Sequence, residues 1–146
     1  MSSLWVNEVK HHTTGFNNVV QFTDGAGTEN GTLCRAWVLF NGTFVSDPAP
    51  NNIFTLANGG IHAAFNVSSI TDNGVANYTV NFTNAMPDAN YAAFIEHDIV
   101  GVYQGSYQSL MYFSTRTTSS VLIRAYGDSP QGSVNDKDNI SVAVFC

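Results

Sequence analysis

Alternation of polar and apolar side chains is the clearest pattern along the chain. In the segment NYTVNF, the apolar residues Tyr78, Val80 and Phe82 fall on one side of an extended backbone, and the polar residues fall on the other. A period of two is typical of a β-strand with one buried face. Turn-forming residues precede this segment at 72–74 and follow it at 86–90, so the pattern predicts strand, turn, strand, turn, strand.

Seven segments of this kind are spaced along the chain after position 31, and clusters of turn residues separate them. No convincing amphipathic helix remains between them. The sequence therefore predicts an all-β chain folded as an antiparallel β-sandwich of about seven strands. The predicted strands cover residues 33–40, 61–67, 77–82, 91–97, 109–115, 120–126 and 140–145.

The N-terminal part of the chain has a different character. Short runs at 4–9 and 18–22 predict two strands, and the glycine-rich, polar stretch 23–31, TDGAGTENG, predicts a flexible linker. We therefore divide the chain into an N-terminal attachment arm with its linker, 1–31, and a β-sandwich domain, 32–146. The candidate attachment residues of the arm are Leu4, Trp5, Val6 and Val9.

Several predicted strands are apolar on both sides. In SVLIRAY, Leu122 faces away from Val121 and Ile123, and in ISVAVF, Phe145 faces away from Val144. A small sandwich covers only one face of each strand. The second face therefore requires a neighbouring subunit or another part of the chain to cover it, and we expect a homo-oligomer.

Composition and charge limit the classes of protein to which the chain can belong. The chain has 146 residues, of which 44% are hydrophobic, enough for one domain with a real core. Charged residues are only 11% and the net charge is −6, so electrostatic binding to nucleic acid is disfavoured. No apolar run approaches the roughly 20 residues of a membrane helix, and no apolar signal core follows the N-terminus, so we expect neither membrane insertion nor general secretion.

Catalytic and cofactor signatures are missing from the sequence. GAGTENG superficially resembles a nucleotide-binding glycine loop, but Asn30 occupies the position of the last glycine and no helix follows. No G-x-S-x-G, Walker A, H-E-x-x-H or C-x-x-C motif occurs. We expect no enzymatic activity and no cofactor.

Metal binding is also disfavoured. Glu96 and His97 are neighbours on a predicted strand and point to opposite faces, and the pair His11-His12 stands alone. NDKDN, at 135–139, lacks the glycine and terminal glutamate of a calcium loop, so a turn is the preferred interpretation. Two cysteines this far apart do not make a disulfide framework, and whether they pair stays open. These are Cys34 and Cys146.

The aromatic residues divide into core and surface candidates. Trp37 and Phe40 lie in the most hydrophobic strand, and we assign both to the core in preference to a ligand-binding platform. The segments 44–60 and 98–109 are the two longest connections, where binding residues usually lie. The second combines flat tyrosine rings with adaptable polar groups, like an antibody paratope. Its candidate receptor-binding residues are Tyr103, Gln104, Ser106, Tyr107 and Gln108. The alternative for the two tyrosines is that they pack on a neighbouring subunit.

Four sequence blocks, taken in order, resemble one protein family. RAWVLFNGT, FNVSSITDNG, YTVNF and MPDANY together look like a β domain of tail-fibre-like virion proteins in tailed bacteriophages, especially marine and cyanobacterial phages. The opening LWVNEVK is similar to the short N-terminal strand, of the form L-x-V-N-x-I, with which many of those proteins begin. The likeness covers about two-thirds of the chain, and the sequence departs from the pattern between Thr43 and His62.

The resemblance implies a non-enzymatic virion component, assembled in the host cytoplasm as a homotrimer. Its expected role is a short tail fibre or a receptor-facing adhesive domain, whose partners are other virion proteins and a host surface polysaccharide or envelope receptor. A head decoration or head-fibre protein is the alternative role. A polysaccharide-degrading tail spike is a third and less favoured one, since its two carboxylates would have to face each other across a cleft.

Overall fold

The structure, a computed structural model, describes residues 19–24, 27–32, 34–45, 52–97, 110–126 and 136–146. Across these residues the chain forms eleven β-strands and no helix. The chain divides into two compact units, Met1–Leu33 and Cys34–Cys146.

The first unit contains an antiparallel hairpin. Strand β1 (Val19–Asp24) matches the strand predicted at 18–22, and it pairs with β2 (Gly27–Thr32). Residues 23–24 and 27–31, which were predicted to be part of a flexible linker, lie in these paired strands instead. The sequence of β2, GTENGT, has a low β propensity. Pairing along the whole length of β1 supplies the hydrogen bonds that hold β2 in an extended form. The strand predicted at 4–9, with Leu4, Trp5, Val6 and Val9, lies outside the described residues.

The second unit consists of two antiparallel sheets. One has five strands in the order β4-β6-β7-β10-β9, and the other has four in the order β5-β3-β11-β8. The predicted antiparallel β-sandwich is confirmed, and the structure adds β4 and β6 to the seven expected strands. The strands are β3 (Cys34–Phe40), β4 (Ile53–Phe54), β5 (Ile61–Phe65), β6 (Val67–Asp72), β7 (Asn77–Phe82), β8 (Ala92–His97), β9 (Leu110–Arg116), β10 (Ser120–Tyr126) and β11 (Ile140–Phe145).

Apolar side chains from alternate positions of both sheets form a single core. The predicted inward face of β7 is confirmed, since Tyr78, Val80 and Phe82 are all buried. Phe40 of the four-stranded sheet meets Tyr78 of the five-stranded sheet edge to face, with ring centroids 5.3 Å apart. The largest fully buried side chains are Tyr78, Phe40, Phe54, Ile70, Ile123, Ile140, Val38, Val80, Val121 and Val144.

The chain changes sheets at Asn66, which lies between β5 and β6. Asn66 has a φ of 54°, a left-handed conformation that asparagine tolerates better than most residues. Its side-chain amide donates to the carbonyl oxygens of Arg35 and Asn84, at 3.0 and 3.1 Å. Its Oδ1 accepts a hydrogen bond from the backbone N–H of Asn84 at 2.7 Å. These contacts fix the corner, so the segment predicted as one strand over 61–67 becomes part of two strands in different sheets.

The described part of the 44–60 connection is organised by one side chain. Asn58 Oδ1 accepts hydrogen bonds from the backbone N–H groups of Thr55 and Gly60, at 2.8 and 3.1 Å. Its Nδ2 donates to the carbonyl oxygen of Ile53 at 2.8 Å. Asn58 thereby holds the turn that leads from β4 to β5.

Candidate functional site

The predicted receptor-binding residues lie outside the part of the chain that the structure describes. Tyr103, Gln104, Ser106, Tyr107 and Gln108 all fall within the undescribed segment 98–109, so their role stays a prediction. Tyr112, the next tyrosine along the chain, lies on β9 at the edge of the five-stranded sheet and is 40% exposed.

The acidic residues weighed as metal ligands are used by the fold. Asp136 accepts hydrogen bonds from the Tyr78 hydroxyl and the Ala76 backbone N–H, and Asp138 Oδ1 accepts one from the Thr43 hydroxyl at 2.9 Å. Over the described ranges, no group of three or more His, Cys, Asp or Glu side chains is placed to hold a metal ion. The thiols of Cys34 and Cys146 are free and half-buried. His11 and His12 lie outside these ranges.

A hydrogen-bonded cluster, here called the Tyr78 clasp, joins the turn after β3 to the segment before β11. The Tyr78 hydroxyl is hydrogen-bonded to the Asp136 carboxylate and lies 3.0 Å from the carbonyl oxygen of Gly42. The Ala76 N–H donates to Asp136 at 2.7 Å, and the Gly42 N–H donates to the Lys137 carbonyl oxygen at 2.9 Å. The clasp connects residues that are distant in sequence, and its role is structural.

The clasp keeps Tyr78 neutral. Burial, the hydrogen bond to Asp136 and the negative charge of that carboxylate raise the pKa of Tyr78 well above its ordinary value of 10.0. Because the pKa is higher in the folded than in the unfolded chain, the clasp stabilises the fold fully below about pH 10. That contribution is lost progressively as the pH rises above this value.

Tyr78→Phe is expected to lower the free energy of unfolding at pH 7 by about 1 to 3 kcal/mol, because a buried hydrogen bond is lost and Asp136 keeps fewer donors. Between pH 7 and pH 11 the variant should then lose less stability than the wild type. Urea unfolding followed by circular dichroism measures both effects, and Tyr112→Phe at an exposed site serves as the control. If the free energy of unfolding falls by the same amount between pH 7 and pH 11 in the wild type and in Tyr78→Phe, this account is contradicted.

The outer face of the five-stranded sheet is mainly polar. Asn81 Nδ2 lies 3.1 Å from Ser69 Oγ and 3.0 Å from Thr71 Oγ1, so it links β7 to β6. In the turn between β6 and β7, Asn73 Nδ2 donates to Thr79 Oγ1 at 2.9 Å. Polar cross-strand pairs of this kind are typical of a sheet face that meets water.

The outer face of the four-stranded sheet is different, because a row of apolar side chains crosses it. The register places Phe65 of β5 opposite Trp37 of β3, Trp37 opposite Ala143 of β11, and Ala143 opposite Phe94 of β8. Directly opposed residues point to the same side of a sheet. The three rings therefore lie in one line across all four strands, and the small side chain of Ala143 lies between two of them.

Among the described residues, these rings are exposed. Trp37 is 40% exposed, Phe65 54% and Phe94 65%. The Phe94 ring packs edge to face on Phe145, with centroids 5.8 Å apart, and Leu39 lies two positions after Trp37 on the same side of β3. We call this surface the aromatic face, and its members are Trp37, Leu39, Phe65, Phe94, Ala143 and Phe145.

The assignment of Trp37 to the core is wrong, whereas that of Phe40 is confirmed. Ala36, Val38 and Phe40 are fully buried, and the alternation of the strand turns Trp37 to the opposite side. Sequence alone did not reveal which of the two apolar sides of β3 faces the core.

The prediction that some strands have apolar residues on both sides is confirmed for β10 and β11. Val121 and Ile123 are buried while Leu122 is half-buried on the other side. On β11, Val144 is buried, and Phe145 packs against Phe94 on the aromatic face.

A search of the described residues for a helix long and apolar enough to cross a membrane finds none. Comparisons of the chain with models of protein families, with curated proteins and with solved structures find no match.

Proposed function

We propose that the chain is a structural protein of a tailed-phage virion, a short tail fibre or its receptor-facing adhesive domain. The observation that carries the proposal is the aromatic face, which displays Trp37, Phe65 and Phe94 in one exposed row. An exposed apolar surface on a rigid scaffold commonly marks a site of contact with another molecule. The aromatic face therefore favours a protein whose function is to assemble with, or adhere to, other molecules.

The family resemblance supports the same proposal. Its four blocks occupy β3 with the following turn, the Asn66 corner with β6, most of β7, and the turn before β8. These elements build the sandwich and include none of the long 98–109 connection. The resemblance therefore concerns the scaffold, on which different receptor-binding loops could be displayed.

The acidic residues favour a non-enzymatic role over glycoside cleavage. Asp72 and Asp88 accept hydrogen bonds from backbone N–H groups of their own turns, at 2.8 and 2.6 Å. Asp136 and Asp138 are bonded within the fold as described above. These four carboxylates have structural partners, whereas glycosidases present two carboxyl groups about 5 to 9.5 Å apart across a cleft.

The proposed partners follow from the same assignment. We infer a homotrimer that is attached to other virion proteins, carries no nucleic acid and contacts a host surface polysaccharide or envelope receptor. The virion is its location, after assembly in the host cytoplasm. A head decoration or head-fibre protein is the second candidate, since an exposed apolar face suits attachment to a capsid equally well.

Adsorption competition tests the adhesive role. Host cells preincubated with the purified chain should bind fewer phage particles, because the chain occupies their receptors. Undiminished adsorption at saturating protein would contradict a receptor-facing role.

Tyr103→Ala combined with Tyr107→Ala is expected to abolish binding to host cells without changing the melting temperature, because rings displayed to a receptor, as proposed, contribute little to stability. Flow cytometry with labelled protein and a thermal melt provide the two measurements, and Tyr112→Ala is the control outside the loop. A lowered melting temperature with loss of the oligomer would instead assign both tyrosines to subunit contacts, where each buried ring is worth about 3 to 5 kcal/mol.

A further inference from the structure

We propose that a second copy of this chain docks on the aromatic face. The inference rests on the proposed homo-oligomer and names the surface through which it forms. In the proposed homotrimer, the aromatic face of each copy turns toward the shared three-fold axis, where it meets the faces of the other two copies.

The chemistry of the face favours an apolar occupant. Phe65 and Phe94 offer no hydrogen-bond donor or acceptor, and the intervening Ala143 offers only a methyl group. A glycan has many hydroxyl groups that need hydrogen-bond partners when they leave water. The three rings supply a single donor, the indole N–H of Trp37. A protein surface with apolar side chains therefore loses fewer hydrogen bonds on this face than a glycan does.

Charge favours a copy of the same chain. The chain as a whole has a net charge of −6, which opposes self-association at most surfaces. The aromatic face is bordered by one base and one acid: Arg35 lies two positions before Trp37 on β3, and Glu96 lies two positions after Phe94 on β8. The face therefore has no net charge, and two copies can approach through it without repulsion.

The size of the face fits the central part of a specific interface. From their exposed fractions, the rings of Trp37, Phe65 and Phe94 present roughly 300 Å² of accessible surface. A standard interface buries about 800 Å² on each partner, with an apolar centre and a polar rim. The rings supply that centre, and exposed Ser141 and Glu96 belong to the rim.

The experiment uses the full chain with Trp5→Phe, because the sequence has 2 tryptophans and this change leaves Trp37 as the reporter. Trp5 is a candidate attachment residue, so light scattering of the unsubstituted chain in parallel shows whether the change alters assembly. Light scattering gives the oligomeric state, and Trp37 emission is followed over a dilution series. Phe65→Gln and Phe94→Gln are compared with Tyr112→Gln, a ring on the other sheet that is 40% exposed. Circular dichroism confirms that each variant is folded.

The Trp5→Phe chain should be oligomeric, and Trp37 emission should shift to longer wavelength on dilution as water reaches the ring. Phe65→Gln and Phe94→Gln should each raise the dissociation constant at least about tenfold, because central aromatic residues dominate interface energies. Tyr112→Gln should leave it within about twofold. The shift of Trp37 emission on dilution is measured in the Trp5→Phe chain, whose aromatic face is unsubstituted. It therefore tests the proposal even if a glutamine variant fails to fold.

Two results would overturn the inference and separate it from the proposed function. An oligomer that survives both substitutions, with Trp37 emission independent of dilution, means that copies associate through another surface. A monomer at every concentration rejects both the homo-oligomer and the docking of a second copy. If Trp37 emission of that monomer shifts on addition of cellohexaose, the face binds glycan instead.

Discussion

Gly42→Ala is expected to lower the free energy of unfolding by about 3 kcal/mol or more and the melting temperature by roughly 10 °C. A Cβ at this position would lie 2.6 Å from the Tyr78 hydroxyl oxygen and 2.8 Å from the Lys137 carbonyl oxygen. Tyr78 is fully buried and held in the clasp, so it cannot move aside. The substitution therefore adds a steric clash and also disrupts the hydrogen bonds of Tyr78.

Two comparisons isolate the clasp as the cause. Gly59→Ala introduces the same methyl group where nothing lies within 4 Å, at a φ of +83°, and should cost about 1 to 2 kcal/mol from backbone strain alone. Gly42→Ala should also cost less in a Tyr78→Phe background, because the oxygen nearest to the new methyl group is gone. Urea unfolding measures the wild type, the three single variants and the double variant. If the losses of stability caused by Gly42→Ala and Tyr78→Phe simply add up in the double variant, the proposed clash with the Tyr78 hydroxyl is contradicted.

Phe40→Ala is expected to cost about 3 to 5 kcal/mol of stability, whereas Trp37→Ala should cost no more than about 2 kcal/mol. Phe40 is fully buried against Tyr78, while Trp37, three positions earlier on the same strand, is 40% exposed. Both variants are unfolded with urea at a protein concentration below that of self-association. A loss for Trp37→Ala as large as that for Phe40→Ala would contradict the outward orientation of the indole.

Sequence alternation predicted most of the sandwich because the period of two is a local property. Tyr78, Val80 and Phe82 define the inward face of β7 from their spacing alone. The corner at Asn66 was missed because its backbone conformation depends on hydrogen bonds to Arg35 and Asn84, which are distant in sequence. Strand β4 was missed because two residues are too few to show any period.

The aromatic face was missed for a different reason. Both sides of β3 are apolar, with Val38 and Phe40 on one side and Trp37 and Leu39 on the other, so its pattern does not say which side is buried. Only pairing with β5 and β11 brings Trp37 into line with Phe65 and Phe94. The Tyr78–Asp136 contact likewise joins residues 58 positions apart, which no local pattern reveals.

The two outer faces of the sandwich suggest different roles within the proposed virion protein. On the five-stranded sheet, Asn81 bonds to Ser69 and Thr71 of the neighbouring strand, and this polar face suits contact with water. The rings on the four-stranded sheet suit burial against a neighbouring copy. Receptor contact would then depend on the 98–109 connection, so changes in that loop should alter host binding without altering assembly.

Immunogold electron microscopy of purified phage particles, with antibody raised against the sandwich domain, tests the central claim most directly. The account predicts gold particles at the tail tip or along the tail fibres of intact virions. Label confined to the head would contradict the tail assignment and select the capsid alternative. Particles that carry no label, while the chain is present in the infected-cell lysate, would contradict a virion role altogether.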